Sequence, residues 1–227
     1  MSLLEQLNKL ADAEYKAFNK KIIPTKQVVL GVRLPALRKI AKDICRNNPK
    51  DFLAANKNNI FEMVFLEGLV ISLLDVRFQE LLPLLDSFFA KVDNWAQIDT
   101  TVCGCKNISK EKEAIVPVIS TWLTSEEEFV VRAGLVMLLA HYVEREYLDQ
   151  IFTLSQSVTH AGYYVIMANA WLISVCMAKF PNETLLFFKN NSLNAITHNK
   201  AIQKSKESRR ISQEHKDLLA QLKKSEK

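Results

Sequence analysis

Glycine and proline are scarce in this sequence, with 5 and 6 residues among 227, below the roughly 12% usual in globular proteins. So few breakers exclude a fold built on many tight turns and favour long helices. Cysteine is scarcer still: Cys45, Cys103, Cys105 and Cys176 are too few and too scattered for a disulfide framework, which points to a reducing, cytoplasmic setting. No charge-free apolar run approaches the ~18 residues of a membrane span, so no membrane partner is expected. The first fifteen residues carry Glu5, Asp12 and Glu14 and lack an apolar h-region, which excludes a secretory signal. Alternation of apolar and polar residues is missing too, and no sheet is expected. Low-complexity stretches and linkers are equally absent, so residues 1–227 read as a single domain.

What is present is ordinary in amount and unusual in arrangement. The chain is 48% hydrophobic and 24% charged, and at this length a compact fold buries roughly 70% of the unfolded surface without a disulfide or structural metal. The net charge of +5 is unevenly spread: residues 1–40 carry 8 Lys and Arg against 3 acids, residues 198–227 carry 9 against 4, and residues 41–197 carry 13 against 18. Two basic ends around an acidic middle suit a polyanionic ligand gripped at both ends. Solvated helix faces give the same pattern.

Helical periodicity runs throughout. Leu3, Leu7, Leu10, Ala11, Tyr15 and Phe18 predict one long first helix, and Leu34 to Ile44 the next, with Pro35 in its first turn. Residues 60–74 are apolar nearly all round, as in a buried inner helix. Phe78 to Phe89 carries an expected distortion at Pro83, and Thr124 with Glu127 reads as a capping box. Further helices are expected over residues 93–103, 109–123, 124–142, 146–157, 163–180, 181–189, 193–206 and 212–224. Three apolar segments look alike: Phe65 to Ile71, Val131 to Met137 and Ile166 to Leu172. Setting Gly68 on Gly134 gives an offset of 66, and Val136 on Trp171 gives 35. A two-helix unit of about 33–38 residues produces both, and such units stack into a superhelix with a concave face.

Residues suited to chemistry follow the same spacing. Trp95 and Asp99 stand at i and i+4, hence on one helix face, where an indole and a carboxylate together can receive a cation. Core packing for the Trp and a capping or solvated role for the Asp are the plainer reading. Arg132 is the only charge between Phe129 and Leu139, and burying it unpaired is expensive. Trp171 sits in another apolar helix. Trp95, Arg132 and Trp171 are 37 and 39 residues apart, so repeats would set them, with Asp99, on one groove. Lys204, Lys206, Arg209 and Arg210 form a basic cluster that suits phosphate or a solvated helix end. Cys103 and Cys105 lack a second pair or a nearby His for metal, and no metal is expected. His141, His160, His198 and His215 are scattered, while Trp122, Phe187 and Phe188 read as core.

These motifs carry a resemblance. From Leu30-Gly-Val-Arg through Asn94-Trp95 with Asp99, Val131-Arg132-Ala133 and Ala170-Trp171-Leu172 to Asn199-Lys-Ala-Ile-Gln-Lys, the chain resembles the DNA alkylation repair family of HEAT-like repeat glycosylases (AlkD-type). The resemblance implies an all-α, C-shaped α-solenoid of HEAT-like two-helix repeats. It implies a monofunctional DNA glycosylase, an N-glycosyl hydrolase that excises N3- or N7-alkylated purines from duplex DNA. Trp95, Asp99 and Trp171 fall where the family keeps its catalytic residues. Arg132 falls where the family keeps its active-site Arg and would hold a phosphate, while Lys204, Arg209 and Arg210 are DNA-binding candidates from the basic cluster alone. No cofactor or metal is implied, and a monomer is expected. Only 30 residues precede Gly31, fewer than the N-terminal helical region usual in active members. The alternative is a non-catalytic scaffold of the same family that binds DNA or a protein partner along its groove.

Overall fold

The structure is a computed structural model that describes residues 2–56 and 59–225. Fourteen α-helices and two 3₁₀ turns form among the described residues, with no strand, beyond an isolated parallel bridge between Val28 and Ile60. None of these helices is long and apolar enough to cross a membrane. The chain divides into two compact units, Met1–Glu111 and Lys112–Lys227.

In the first unit the stripe predicted as one long helix is two: α1 (Leu3–Lys9) and α2 (Ala13–Ile22). Asp12 makes the break. Its carboxylate accepts the Tyr15 N–H at 3.0 Å and pairs with Arg33 at 2.7 Å, while its own N–H donates to the Gly31 carbonyl at 3.0 Å. An Asp that caps a new helix ends the old one. There follow α3 (Leu34–Asn47), α4 (Pro49–Ala55), α5 (Phe61–Leu73), α6 (Phe78–Phe89) and α7 (Trp95–Gly104). Helix α6 continues through Pro83. Helix α5 packs between α3 and α7, with α4 and α6 also against it. That surroundings explain its nearly uniform apolarity, for 12 of its 13 residues are buried, at about 1.5–3 kcal/mol for each large side chain. Gly68 permits the approach: a Cβ there would meet the Thr101 hydroxyl at 2.0 Å and the Phe88 ring at 2.7 Å.

The segment before α3 is held by a buried carboxylate. Glu62 of α5 is 0% exposed and accepts the backbone N–H groups of Leu30, Gly31 and Val32 at 2.9, 2.7 and 3.2 Å. Gly31 has φ of 100°, and a Cβ on it would stand 2.5 Å from the Asp12 carbonyl oxygen. Gly31→Ala is therefore expected to destabilise the fold by about 1–3 kcal/mol through backbone strain. A urea titration of the variant checks this; an unchanged midpoint would refute it.

The second unit begins with α8 (Lys112–Leu123), after a 3₁₀ turn at Lys106–Lys110 where a helix from residue 109 was expected. The expected capping box does not form, and α9 (Glu128–His141) starts later. The Thr124 hydroxyl donates back to the Thr121 carbonyl at 2.9 Å, and Ser125 Oγ accepts the Glu127 N–H at 3.1 Å. Local hydroxyl bonds out-compete the box. Helices α10 (Leu148–Ser157), α11 (Tyr163–Lys179), α12 (Pro181–Asn190), α13 (Ala195–Glu207) and α14 (Gln213–Ala220) follow. Helix α11 packs between α9 and α13, while α12 and α14 pack behind. The three look-alike segments lie in α5, α9 and α11. Each is thus a helix of the closely packed rows, and the 35-residue offset is one helix pair.

His198, 0% exposed, ties α13 to the C-terminal segment through the Leu222 carbonyl at 2.8 Å. Burial holds its pKa below the usual 6.5. Below about pH 6.5 the unfolded chain therefore takes up a proton that the folded chain resists, and stability falls as pH drops. Urea midpoints at pH 7.5 and 5.5 should separate less in His198→Asn than in the unaltered chain; equal separation would show that His198 is not responsible.

Candidate functional site

The first half of the site is built on α7, whose start is fixed by a buried amide network. Asn94 caps the helix by accepting the Gln97 N–H at 3.2 Å. Asp93 accepts the Thr25 hydroxyl and the Lys26 N–H, each at 2.6 Å. The Gln97 amide donates to Gln27 Oε1 at 2.7 Å and to the Phe61 carbonyl at 3.1 Å. Buried polar groups satisfied this fully rigidify what they touch. Trp95 is the first residue of α7. Its ring packs on the apolar core of the first unit, and its indole N–H donates to the Ile22 carbonyl at the end of α2 at 3.2 Å. Asp99 follows one turn later, and both side chains are half-buried. The helix therefore offers solvent a partly exposed indole and carboxylate on one face.

The other candidates lie in the second unit. Arg132 on α9 is 6% exposed. It meets the need for a partner by donating Nη1–H to the Tyr164 carbonyl at 2.8 Å, with its guanidinium 6.0 Å from the Tyr164 ring centre. Tyr164 is itself held through its N–H to Glu128 at 2.7 Å. Trp171 is half-buried on α11. It lines a cavity of about 340 Å³ with Ser174, Lys204, Glu207, Ser208 and Arg210 among its walls. Burial lowers the Lys204 pKa; Glu207 opposes the shift, while Lys200 and Arg132 reinforce it. Trp171, Lys204 and Arg210 thus converge, within electrostatic reach of Arg132. Arg209 is exposed and does not line that cavity.

Several residues that shape the site were not candidates for chemistry, although Asn94 stands in the Asn94-Trp95 motif. Gln27, Asn94, Gln97 and Glu62 are buried, and only tertiary contacts reveal their roles. One signal was available for Glu62 and Glu67: they are the only charges in the apolar run Phe61–Leu73. Glu67 pairs with Lys91 at 2.7 Å and accepts the Asn56 amide at 2.8 Å. Cys105 is a packed thiol, bonded to the Thr101 carbonyl at 3.2 Å and pushed up to about 12 by burial.

The profile of the family described as DNA alkylation repair enzyme matches residues 3–205. The chain belongs to that family. The match spans every helix from α1 into α13 and includes Trp95, Asp99, Arg132, Trp171 and Lys204, while Arg209 and Arg210 lie just beyond it. No curated protein matches the chain by sequence. Membership in the DNA alkylation repair family places DNA first among candidate ligands, and the cationic cavity beside Trp171 suits a phosphate backbone.

Proposed function

We propose that this protein is a DNA glycosylase that excises N3- or N7-alkylated purines from duplex DNA, with residues 1–227 acting as one HEAT-like repeat domain curved into a C-shaped solenoid. The observation that carries the reading is the α7 face. In a member of a DNA alkylation repair family, a half-buried carboxylate stands one turn from a Trp whose position is locked by hydrogen bonds.

The chemistry follows from charge. Alkylation makes the purine cationic and a good leaving group. As the glycosidic bond breaks, the deoxyribose gains oxocarbenium character. The Asp99 carboxylate stabilises that cation and orients the attacking water. Trp95 and Trp171 pack on the cationic lesion and sugar at ~0.5–2 kcal/mol each. Arg132, Lys204, Arg209 and Arg210 hold phosphates and position the duplex. The direct test is release of alkylated base from methylated duplex DNA by the purified protein. No release above the rate without protein, under conditions where DNA is bound, would leave a non-catalytic binder.

Binding makes its own prediction. Affinity for duplex DNA should fall steeply with salt, each phosphate contact adding roughly −0.9 to the log–log slope. Replacing Arg209 and Arg210 together by Ala should flatten that slope by up to about two units. Fluorescence anisotropy across a salt series measures it; an unaltered slope would remove both residues from the interface.

A further inference from the structure

Another cavity, of about 280 Å³, opens where the starts of α11 and α13 meet the end of α10 and the joint after α12. It lies wholly in the second unit and includes none of the residues given a role in excision or DNA binding. Thr197 of α13 is 4% exposed, and its hydroxyl has no hydrogen-bond partner among the described residues. Every fully sealed side-chain nitrogen or oxygen among those residues has a partner, so this hydroxyl opens on the cavity that it lines. The acceptors around it are taken. Gln156 Oε1 accepts the Ser192 N–H at 2.7 Å, Asn169 Oδ1 the Ser155 hydroxyl at 2.6 Å, and Asn194 Oδ1 the Thr197 N–H at 2.8 Å. His160 Nδ1 accepts the Gly162 N–H at 2.9 Å, which leaves Nε2–H for the Glu126 carbonyl at 3.1 Å. Donors are left over: the Thr197 hydroxyl, the Asn194 amide, and the second N–H of Asn169, whose first goes to the Ser155 carbonyl at 2.9 Å. No acid, lysine or arginine is among the described residues that line the cavity, and Val158, Val165, Ile166 and Leu193 supply apolar wall.

Such walls suit a flat, uncharged ligand richer in acceptors than in donors. An anion is disfavoured. The Glu128 carboxylate already sits at the start of α11, where it accepts the Tyr164 N–H at 2.7 Å, so the protein itself supplies the charge that a helix N-terminus attracts. A sugar brings more hydroxyl donors than the occupied acceptors can receive. A purine base offers apolar faces and bare ring nitrogens, and side-chain amides are common readers of such an edge. We propose that this cavity binds a free, uncharged alkylpurine, the product of base excision. The identity of the base rests on the reading of the protein as a glycosylase. When the glycosidic bond breaks, its electron pair stays on N9 and cancels the positive charge that alkylation placed on the ring. The released base is thus neutral, and its N9 is a new acceptor for the donors left over in the cavity.

The test titrates the full chain calorimetrically with free 3-methyladenine in the absence of DNA, so it does not depend on base excision. Saturable binding at one site is expected. Thr197→Val keeps the shape and should weaken that binding about 3–10-fold, the size of one hydrogen bond. Asn194→Asp still caps α13 but trades the amide donors for acceptor oxygens, so it should weaken binding by at least about tenfold. Both variants are compared at equal folded fraction, read from urea unfolding. Inorganic phosphate should not displace the base. No binding, binding undiminished in both variants, binding lost in Trp171→Ala instead, or displacement by phosphate overturns the proposal. Base release from methylated duplex, measured in parallel, separates the two ideas: release without binding of the free base removes only the product site, and binding without release keeps the site and removes only the glycosylase.

Discussion

Asp99→Asn is expected to slow release of an alkylated purine by about 10²–10³-fold while leaving DNA affinity nearly unchanged, because one preorganised charge opposing the sugar cation is worth ~2.7–4 kcal/mol. The amide keeps the shape of the carboxylate and removes its charge. Trp95→Ala and Trp171→Ala should each cost less, since a cation–π contact is worth only ~0.5–2 kcal/mol. The structure adds a correction to that comparison. The Trp95 indole also ties α7 to Ile22 at 3.2 Å, so Trp95→Ala loses stability as well, and rates must be normalised to folded protein. Arg132→Ala should act mainly through affinity, as a phosphate contact positions the duplex without touching the glycosidic bond. Lesions that depurinate readily unaided should depend least on Asp99. Single-turnover release from methylated duplex measures the series. Equal rates for the unaltered chain and Asp99→Asn, both above the protein-free rate, would show that another group does the chemistry.

Glu62→Gln should lower stability by about 2–4 kcal/mol, although it is isosteric and far from any chemistry. The buried carboxylate accepts three backbone N–H groups. An amide offers one oxygen, and its NH₂ faces at least one donor it cannot accept. Orphaning a buried donor costs ~1–3 kcal/mol, and bonds to a charged acceptor are stronger than those to a neutral one. Urea unfolding should show a lower midpoint at unchanged slope. A shift below about 0.5 kcal/mol, the size expected of an ordinary surface change, would mean that water replaces the carboxylate without loss. Gly31→Ala strains the same joint from the other side, so the two substitutions share contacts and should not add simply.

Helix content was legible from periodicity, because a side chain's position on a helix depends only on local spacing. The all-round apolarity of Phe61–Leu73 announced a helix surrounded on every side, and α5 is buried along nearly its whole length. Boundaries were less legible. Asp12 breaks the first helix because Arg33 and Gly31, about twenty residues away, reward it there. Thr124 and Glu127 had the right spacing for a cap, yet hydroxyl bonds to Thr121 and from Glu127 decided otherwise.

The sequence by itself determined an all-helical chain, the recurrence of its apolar helices, the Trp95–Asp99 face and the family to which those motifs point. Each of these depends on residue identity at short or regular spacing. Only the tertiary structure decided that Gln27, Asn94 and Gln97 lock the first turn of α7, that Glu62 seats the Leu30–Val32 segment, and that Lys204, Glu207 and Arg210 share a cavity with Trp171. A buried amide or carboxylate has no periodicity to betray it. Its partners lie 30 to 70 residues away, and it takes its meaning from hydrogen bonds that exist only once those segments are packed together.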